Sequence, residues 1–221
     1  MTIWSAERQA VLEAGRRMSE RGFVVGTAGN ISMRLRDSDG REVMAITPTS
    51  RYYDTIGVDD IAVVDFDGQR VEGEFSPSVE TMLHIGVYKA RKKVNAVIHS
   101  HPVLSSAFAV AGMEIPPIID DQVTYLGGAI KVAEYALSGS EDLVKHALAA
   151  LGPRNAVILA NHGAVCVGKD LREAFTNLEM LEKTAKIYIC VLSIRKKVTP
   201  IPAEFLEAMS AYFNYVHGDG E

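Results

Sequence analysis

The stretch Asn95-Ala-Val-Ile-His-Ser-His-Pro102 decides how the rest of this chain is interpreted. Its apolar, β-branched run predicts a buried strand. His99 and His101 are two residues apart, so both side chains leave such a strand on one face and can reach a single ion. A lone buried histidine is more often a satisfied core residue than a ligand, but a pair at this spacing favours metal binding.

A third histidine and a carboxylate extend this pattern. His162 follows the short apolar run 156–160, and Gly163 after it permits close backbone approach. Glu80 stands at the head of a predicted helix, where an acid alone is explained by the helix dipole. Three imidazoles, one carboxylate and an open position nevertheless describe a catalytic divalent-metal centre. Zinc is the favoured ion, with manganese or cobalt as alternatives.

Three turns rich in glycine and hydroxyl residues offer donors for an anion. They are Gly26–Asn30, Thr47–Ser50 and the helix start at Pro77-Ser78. Backbone N–H groups in such turns and at helix N-termini bind phosphate without much positive charge. Each turn is weak evidence by itself, since any turn uses these residues.

The composition excludes several classes of protein. The 221 residues are 48% hydrophobic and 23% charged, with a net charge of −5, which argues against a nucleic-acid or anionic-membrane partner. No apolar run approaches the roughly 20 residues that span a bilayer. Only Cys166 and Cys190 are present, which predicts buried, reduced thiols in a cytoplasmic protein rather than a disulfide framework.

Helical and strand-like segments alternate along the chain. Asp67-Gly68 between two apolar runs predicts a hairpin, which excludes a purely parallel sheet. A layered α/β sandwich with a mixed sheet therefore fits best, and without repeats or linkers a single domain over residues 1–221 is expected. The predicted helices cover residues 5–20, 77–92, 102–111, 140–152, 170–195 and 203–216. Ser5, Ser140 and Asp170 are the predicted N-caps of the first, fourth and fifth of these helices.

Five motifs in fixed order together resemble the class II aldolase/adducin family, and most of all its L-fuculose-phosphate aldolases. The motifs are Gly26-Thr-Ala-Gly-Asn-Ile-Ser32, Thr47-Pro-Thr, Pro77-Ser-x-Glu80, His99-x-His101 and Asn161-His162-Gly163. The resemblance implies a three-layer α/β/α sandwich with a largely antiparallel central sheet. It also implies a homotetramer with active sites between neighbouring subunits.

The resemblance further implies roles for individual residues. Metal ligation would fall to His99, His101, His162 and, in the empty site, Glu80, which would also act as general acid/base. The catalytic set would include Tyr215, reaching the adjacent subunit's site, with Tyr212 as the alternative. Phosphate and substrate binding would involve residues of the turns and one position beyond them: Thr27, Gly29, Asn30, Thr49, Ser50, Ser78 and Asp120.

Three positions depart from the aldolase pattern, and two differ from the pattern of the related epimerases. Ser50 and Val79 stand where the family usually has Gly and Ser, which reduces the phosphate donors. Asp120 replaces a tyrosine that acts on the aldehyde in fuculose-phosphate aldolases, so the aldehyde is open. The related 4-epimerases have Asp at position 80 and a catalytic Asp near Thr124, and this chain has neither.

The implied reaction is reversible cleavage of a ketose 1-phosphate, such as L-fuculose 1-phosphate or a 5-deoxypentulose 1-phosphate. It yields dihydroxyacetone phosphate and a short aldehyde through a metal-stabilised enediolate. Sugar-phosphate 4-epimerase or sugar-acid phosphate decarboxylase activity is the alternative within the family. A non-enzymatic, adducin-like binding module is disfavoured because it should have lost the ligands.

Two interpretations of these histidines as part of a hydrolase metal site also fail. A JAMM-type zinc isopeptidase shares the tetrapeptide His-Ser-His-Pro. It also needs a Ser and then an Asp beyond the Pro, and the corresponding positions, near Ala109 and Gly112, do not supply them. A metallo-β-lactamase-like site needs Asp at Val103. The isopeptidase would also leave His162 unexplained.

Overall fold

The computed structural model describes residues 4–218, and its centre is one eight-stranded sheet. The strands are β1 (Asn30–Arg36), β2 (Glu42–Ile46), β3 (Ala62–Asp65), β4 (Arg70–Glu72), β5 (Ala96–Ser100), β6 (Lys131–Ala133), β7 (Ala156–Leu159) and β8 (Gly163–Gly168). Their order across the sheet is β4-β3-β2-β1-β5-β8-β7-β6. Only β6 and β7 pair in parallel, and the other neighbours are antiparallel.

Within residues 4–218, seven α-helices accompany the sheet: α1 (Ser5–Glu20), α2 (Thr81–Ala90), α3 (Val103–Ala111), α4 (Asp120–Leu126), α5 (Glu141–Leu151), α6 (Leu171–Ser193) and α7 (Ala203–His217). Helices α1, α3 and α6 pack on one face, where Leu12, Phe108 and Leu178 belong to one core cluster. Helices α2 and α5 pack on the other, with Leu83 and Leu143. This arrangement confirms the predicted α/β sandwich with a mixed, largely antiparallel sheet.

Strand β5 holds the middle of the sheet between β1 and β8. Its side chains alternate, as a strand buried on both faces requires. Ala96 and Ile98 belong to the core on the α1, α3 and α6 side, whereas Val97 belongs to the core on the α2 and α5 side. His99 therefore leaves the sheet toward α2 and α5, two residues after Val97.

Two helix starts differ from the sequence-based expectation. Ser5 does not cap α1, because Trp4 occupies the N-cap position and makes no side-chain cap hydrogen bond. Helix α2 begins at Thr81 rather than at Pro77, because an antiparallel bridge between Pro48 and Pro77 keeps the chain extended there. The later start leaves Glu80 at the N-cap position of α2.

The caps of the two later helices are as predicted. Ser140 Oγ accepts a hydrogen bond from the Leu143 N–H, and Asp170 Oδ1 accepts one from the Glu173 N–H. Within residues 4–218, no helix is both long enough and apolar enough to cross a bilayer.

Candidate metal centre

His99 presents its Nε2 atom to the site from the last part of β5. The ring is 1% exposed, and its Nδ1 lies 3.0 Å from the carbonyl oxygen of Ala164 on the neighbouring strand β8. A carbonyl only accepts, so Nδ1 carries the proton and donates it. The Nε2 lone pair is left free for a cation, which is the usual way a protein orients a ligating histidine.

His101 follows on the same side, just after the end of β5. Its backbone N–H donates to the Phe23 carbonyl, which fixes the chain after the strand. Its Nε2 lies 2.9 Å from Nε2 of His99. Nitrogen atoms at such a separation fit one tetrahedral zinc ion, whose bonds of about 2.0–2.1 Å place ligand nitrogens about 3.3 Å apart.

His162 enters from the turn that joins β7 to β8. Asn161 before it has φ of 54°, a left-handed conformation that Asn tolerates better than most residues. Gly163 after it is required by space, because a Cβ there would lie 2.5 Å from the Ser100 carbonyl oxygen and 2.6 Å from the His101 ring. Candidate ligand atoms of His99, His101 and His162 all lie within 4.8 Å of one another.

Glu80 closes the site from the start of α2. Its side chain is 4% exposed, and both carboxylate oxygens are engaged. Oε2 accepts from Asn30 Nδ2 at 2.9 Å and lies 3.1 Å from His99 Nε2. Oε1 accepts from Ser138 Oγ at 2.9 Å and lies 3.5 Å from His162 Nε2. The carboxylate thus lies beside two of the candidate metal ligands.

The protonation states suit a cation. Burial lowers the pKa of His99 and of His101, so both rings are neutral at neutral pH, as metal ligands must be. Burial alone raises the pKa of Glu80. The electrostatic interaction with His99 and His162 and the hydrogen bonds from Asn30 and Ser138 outweigh it, and the pKa of Glu80 falls well below its usual range. Three imidazoles and one carboxylate fit a divalent cation, and they do not by themselves select zinc.

The three predicted turns meet beside this cluster. The Ser78 N–H donates to the Thr47 carbonyl, and the Thr49 N–H donates to that of Ser76. Together with Glu80 and two of the histidines, the turns line a pocket of about 170 Å³. The turn residues that line it are Thr27, Ala28, Gly29, Asn30, Pro48, Thr49, Ser50, Ser78 and Val79.

Ser50 shows the consequence of one departure from the family pattern. Its φ is 55°, in the left-handed region that glycine adopts without strain and other residues adopt at an energetic cost. The glycine usual at this position is therefore explained by the backbone, and the serine here keeps the same turn under strain.

The structure does not bring every predicted site residue into this pocket. Asp120 is exposed at the start of α4, and Tyr215 is 86% exposed on α7. Neither residue lines the pocket around Glu80 within one chain. Asn30 does line it, but its side-chain amide already bonds Glu80 on one side and His84 on the other. The amide nitrogen carries a second hydrogen that neither bond uses, so phosphate binding by Asn30 stays a prediction.

Sequence reasoning missed two residues of the site. His84 is not among the predicted site residues, but it is fully buried and hydrogen-bonds Asn30. Its position four residues after Glu80 on a helix was an available signal, since such residues share a face. Ser138, in the loop before α5, carried no signal in its spacing.

Comparison with known proteins identifies the family. The family described as "Class II Aldolase and Adducin N-terminal domain" matches residues 9–189. The chain belongs to this family. Membership confirms the resemblance seen in the motifs, and with the histidine cluster it confirms the prediction of an enzyme of the class II aldolase type.

Individual members of the family agree in fold and differ in activity. A 5-deoxy-D-ribulose 1-phosphate aldolase of Bacillus thuringiensis serovar kurstaki is 30% identical, over 94% of this chain and 95% of its own. An L-ribulose-5-phosphate 4-epimerase UlaF of Salmonella paratyphi C is 30% identical over 96% and 95%. The solved structure of an L-fuculose 1-phosphate aldolase superposes with a TM-score of 0.86 at 33% identity, covering 95% of this chain and 96% of that one.

Proposed function

We propose that this protein is a metal-dependent aldolase that reversibly cleaves a ketose 1-phosphate into dihydroxyacetone phosphate and a short aldehyde. One observation carries the proposal: a buried, ionised Glu80 lies 3.1 Å from His99 Nε2 and 3.5 Å from His162 Nε2, beside turns lined with N–H and hydroxyl donors. A proton-transfer group, a cation site and a phosphate-sized pocket are thereby combined in one place.

The cation would be held by the imidazoles of His99, His101 and His162. When bound, it supplies Lewis acidity that draws electrons from the substrate carbonyl and stabilises the negative charge left by carbon–carbon cleavage. The three rings contribute a fixed geometry, because Nδ1 of His99 is held by Ala164 and Gly163 lets the His101 ring lie against the backbone.

Glu80 would move the proton. In the direction of synthesis its carboxylate, ionised at neutral pH, takes a proton from C3 of dihydroxyacetone phosphate. In cleavage the same carboxyl group returns that proton to the same carbon. Its hydrogen bonds from Asn30 and Ser138 hold the two oxygens in place, which positions the group for general acid–base catalysis.

The turns would hold the phosphate and so fix the reacting carbons relative to Glu80. Donors are available from the exposed or partly exposed Thr27, Thr49 and Ser50, from the backbone at Gly29, and from Ser78 at the mouth of α2. Among residues 4–218, no lysine or arginine lines this pocket, so neutral donors would carry the binding.

The complete site would need a second copy of the chain. Tyr215 and Tyr212 are 86% and 60% exposed on α7, and neither reaches its own chain's pocket. A homotetramer in which α7 approaches the neighbouring pocket would give Tyr215 its catalytic role. Light scattering combined with mixing of Tyr215→Phe and Glu80→Gln subunits tests this, because complementation restores activity only across an interface.

Epimerase activity is the second candidate, since one relative of comparable identity is an L-ribulose-5-phosphate 4-epimerase. Glu at position 80 and Thr124 on α4 weigh against it, because a 4-epimerase of this family is expected to have Asp at both places. Decarboxylation of a sugar-acid phosphate would use the same cation site and is separated from the others by its products.

A product screen tests the proposal. The purified protein is incubated with L-fuculose 1-phosphate, 5-deoxy-D-ribulose 1-phosphate and L-ribulose 5-phosphate, and dihydroxyacetone phosphate is detected with a coupled reductase. We expect dihydroxyacetone phosphate from at least one ketose 1-phosphate, and none from Glu80→Gln. Epimerised pentulose phosphate without any dihydroxyacetone phosphate would overturn the aldolase assignment.

A further inference from the structure

A continuous chain of buried hydrogen bonds leads away from Glu80 into the protein interior. Glu80 Oε2 contacts Asn30 Nδ2 at 2.9 Å, and Asn30 Oδ1 contacts His84 Nε2 at 2.6 Å. His84 Nδ1 contacts Ser32 Oγ at 2.6 Å, and Ser32 Oγ contacts the Tyr88 hydroxyl at 2.7 Å. All five residues are at most 4% exposed.

The donors in this chain can be assigned from its ionised end. A carboxylate only accepts, so the Asn30 atom facing Glu80 must be the amide nitrogen. The amide oxygen of Asn30 then faces His84, and His84 Nε2 must carry the proton it donates. Burial lowers the pKa of His84 to about 4, so the ring is neutral and its Nδ1 is an acceptor.

The rest of the chain follows from that tautomer. His84 Nδ1 accepts from the Ser32 hydroxyl, and Ser32 Oγ in turn accepts from the Tyr88 hydroxyl. Every donor therefore points toward Glu80. Reversing the amide of Asn30 would place its oxygen against the carboxylate and its NH2 group against the Nε2–H of His84, which is unfavourable at both ends.

We propose that His84 is a positioning residue for catalysis, whose Nε2–H holds the Asn30 amide in the one orientation that donates to Glu80. This inference rests on the proposed role of Glu80 as the proton-transfer group. The His84 side chain does not line the pocket, and its hydrogen bond toward the site is the one to Asn30.

The function of this arrangement follows from what Glu80 must do. A carboxylate that transfers a proton needs a fixed donor to hold it, or it would rotate away from the reacting carbon. The Asn30 amide provides that donor with little reorganisation, because the buried His84 ring holds the amide oxygen in place. Loss of the hydrogen bond from His84 to Asn30 should slow the chemical step and leave substrate binding nearly unchanged.

Two substitutions at position 84 separate positioning from general structural support. In His84→Gln the side-chain amide reaches the place of Nε2 and keeps a donor for Asn30. In His84→Asn the shorter amide reaches only the place of Nδ1, so it can keep the Ser32 contact but loses the donor. Both replacement side chains are polar and smaller than histidine, and neither removes a histidine of the candidate cation cluster.

We expect kcat of His84→Asn to fall about 10–100-fold, the usual effect of losing such a supporting contact, with KM within about twofold. His84→Gln should keep kcat within about threefold of the parent, and both variants should bind one equivalent of cation. Equal losses in both variants, or an unchanged kcat in His84→Asn, would overturn the proposal.

A second measurement does not depend on activity. Nitrogen-15 spectra of the zinc-loaded protein at pH 7 report which ring nitrogen of each histidine is protonated, and the His84→Gln spectrum assigns the signal. We expect a neutral ring protonated at Nε2, with a slowly exchanging proton. A ring protonated at Nδ1 would refute the orientation of Asn30 even if aldolase activity is found. If the Nε2–H ring is found and no ketose phosphate is cleaved, the proposed function fails while the orientation stands.

Discussion

Nε2 of His99 lies 3.1 Å from Oε2 of Glu80, although the two residues belong to different layers of the sandwich. His99 is presented by the central strand β5 and Glu80 by the start of α2. The contact forms because the Ala164 carbonyl holds the far side of the imidazole. A cation bound by the histidines would therefore have a carboxylate beside it from the outset, close enough for substrate to displace.

Removal of a single imidazole should abolish tight metal binding. We expect His162→Ala to weaken zinc affinity at least about 100-fold, because two protein nitrogens and a carboxylate replace a set of four donors. His146→Ala is the matched control, since that histidine lies on α5 outside the cluster. Metal content is measured after dialysis against weak chelator. Equal zinc retention in the parent and His162→Ala would contradict this prediction.

Substitution of the carboxylate should separate metal binding from turnover. Glu80→Gln keeps the shape of the side chain and leaves the three histidines in place, so we expect about one equivalent of cation to remain. We expect kcat to fall about 10³-fold, within the range that general acid–base groups contribute. Glu134→Gln, which alters an exposed carboxylate, should leave kcat unchanged. Near-parental turnover by Glu80→Gln would remove it from the proton-transfer role.

Local sequence patterns were sufficient for most of the architecture. The hairpin at Asp67-Gly68 excluded a parallel sheet, and Ser140 and Asp170 cap their helices as short-range rules predict. What the patterns missed depends on contacts between distant segments. Helix α2 starts late because Pro77 pairs with Pro48, and a bridge between two turns has no periodic signature.

In the candidate site too, some features could be predicted from local sequence patterns and others could not. The spacing of His99 and His101 on a strand dictates that both rings share a face, so this pair could be predicted from the sequence. The hydrogen bonds of His84 and Ser138 could not, because they depend on how α2 and the loop before α5 lie over the sheet. Tyr215 remains a prediction that a single chain does not test.

The glycine after His162 should be essential for the metal centre. In Gly163→Ala the new Cβ would lie 2.6 Å from the His101 ring and 2.5 Å from the Ser100 carbonyl, so ring or backbone must move. We expect the protein to lose about 1–3 kcal/mol of stability and much of its zinc affinity. Gly57→Ala, where a Cβ meets nothing closer than 3.9 Å, serves as the control. Unchanged zinc affinity in Gly163→Ala would contradict the packing argument.

Substitution of Ser50 by glycine should stabilise the protein, whereas Gly163→Ala should destabilise it. Ser50→Gly removes a left-handed serine at φ 55°, and we expect a gain of about 0.5–1 kcal/mol in the free energy of unfolding. Ser19→Gly, within α1, should instead lose about that amount. Urea denaturation measures both. A destabilised Ser50→Gly would mean that the serine hydroxyl contributes more than the strain costs.

The buried ring of His84 should make the folded protein sensitive to acid. Its pKa is about 4 in the folded state because of burial, against about 6.5 when unfolded. Between these values only the unfolded chain binds the proton. The stability linked to this ring is thus complete above pH 6.5, and it decreases by about 1.4 kcal/mol per pH unit as the pH falls toward 4.

Urea denaturation of the metal-free protein between pH 4.5 and 7 isolates this contribution. The slope of unfolding free energy against pH should be shallower in His84→Gln by about that amount, because the variant carries one fewer buried ring. Identical slopes in the two proteins would show that His84 is not held neutral in the folded state.

The rate of ketose 1-phosphate cleavage before and after complete removal of metal tests the central claim most directly. The account predicts that exhaustive chelation lowers dihydroxyacetone phosphate formation at least about 100-fold, and that one equivalent of zinc, manganese or cobalt restores it. His162→Ala should not be restored under the same conditions. Full activity from protein shown to hold no metal would contradict the account.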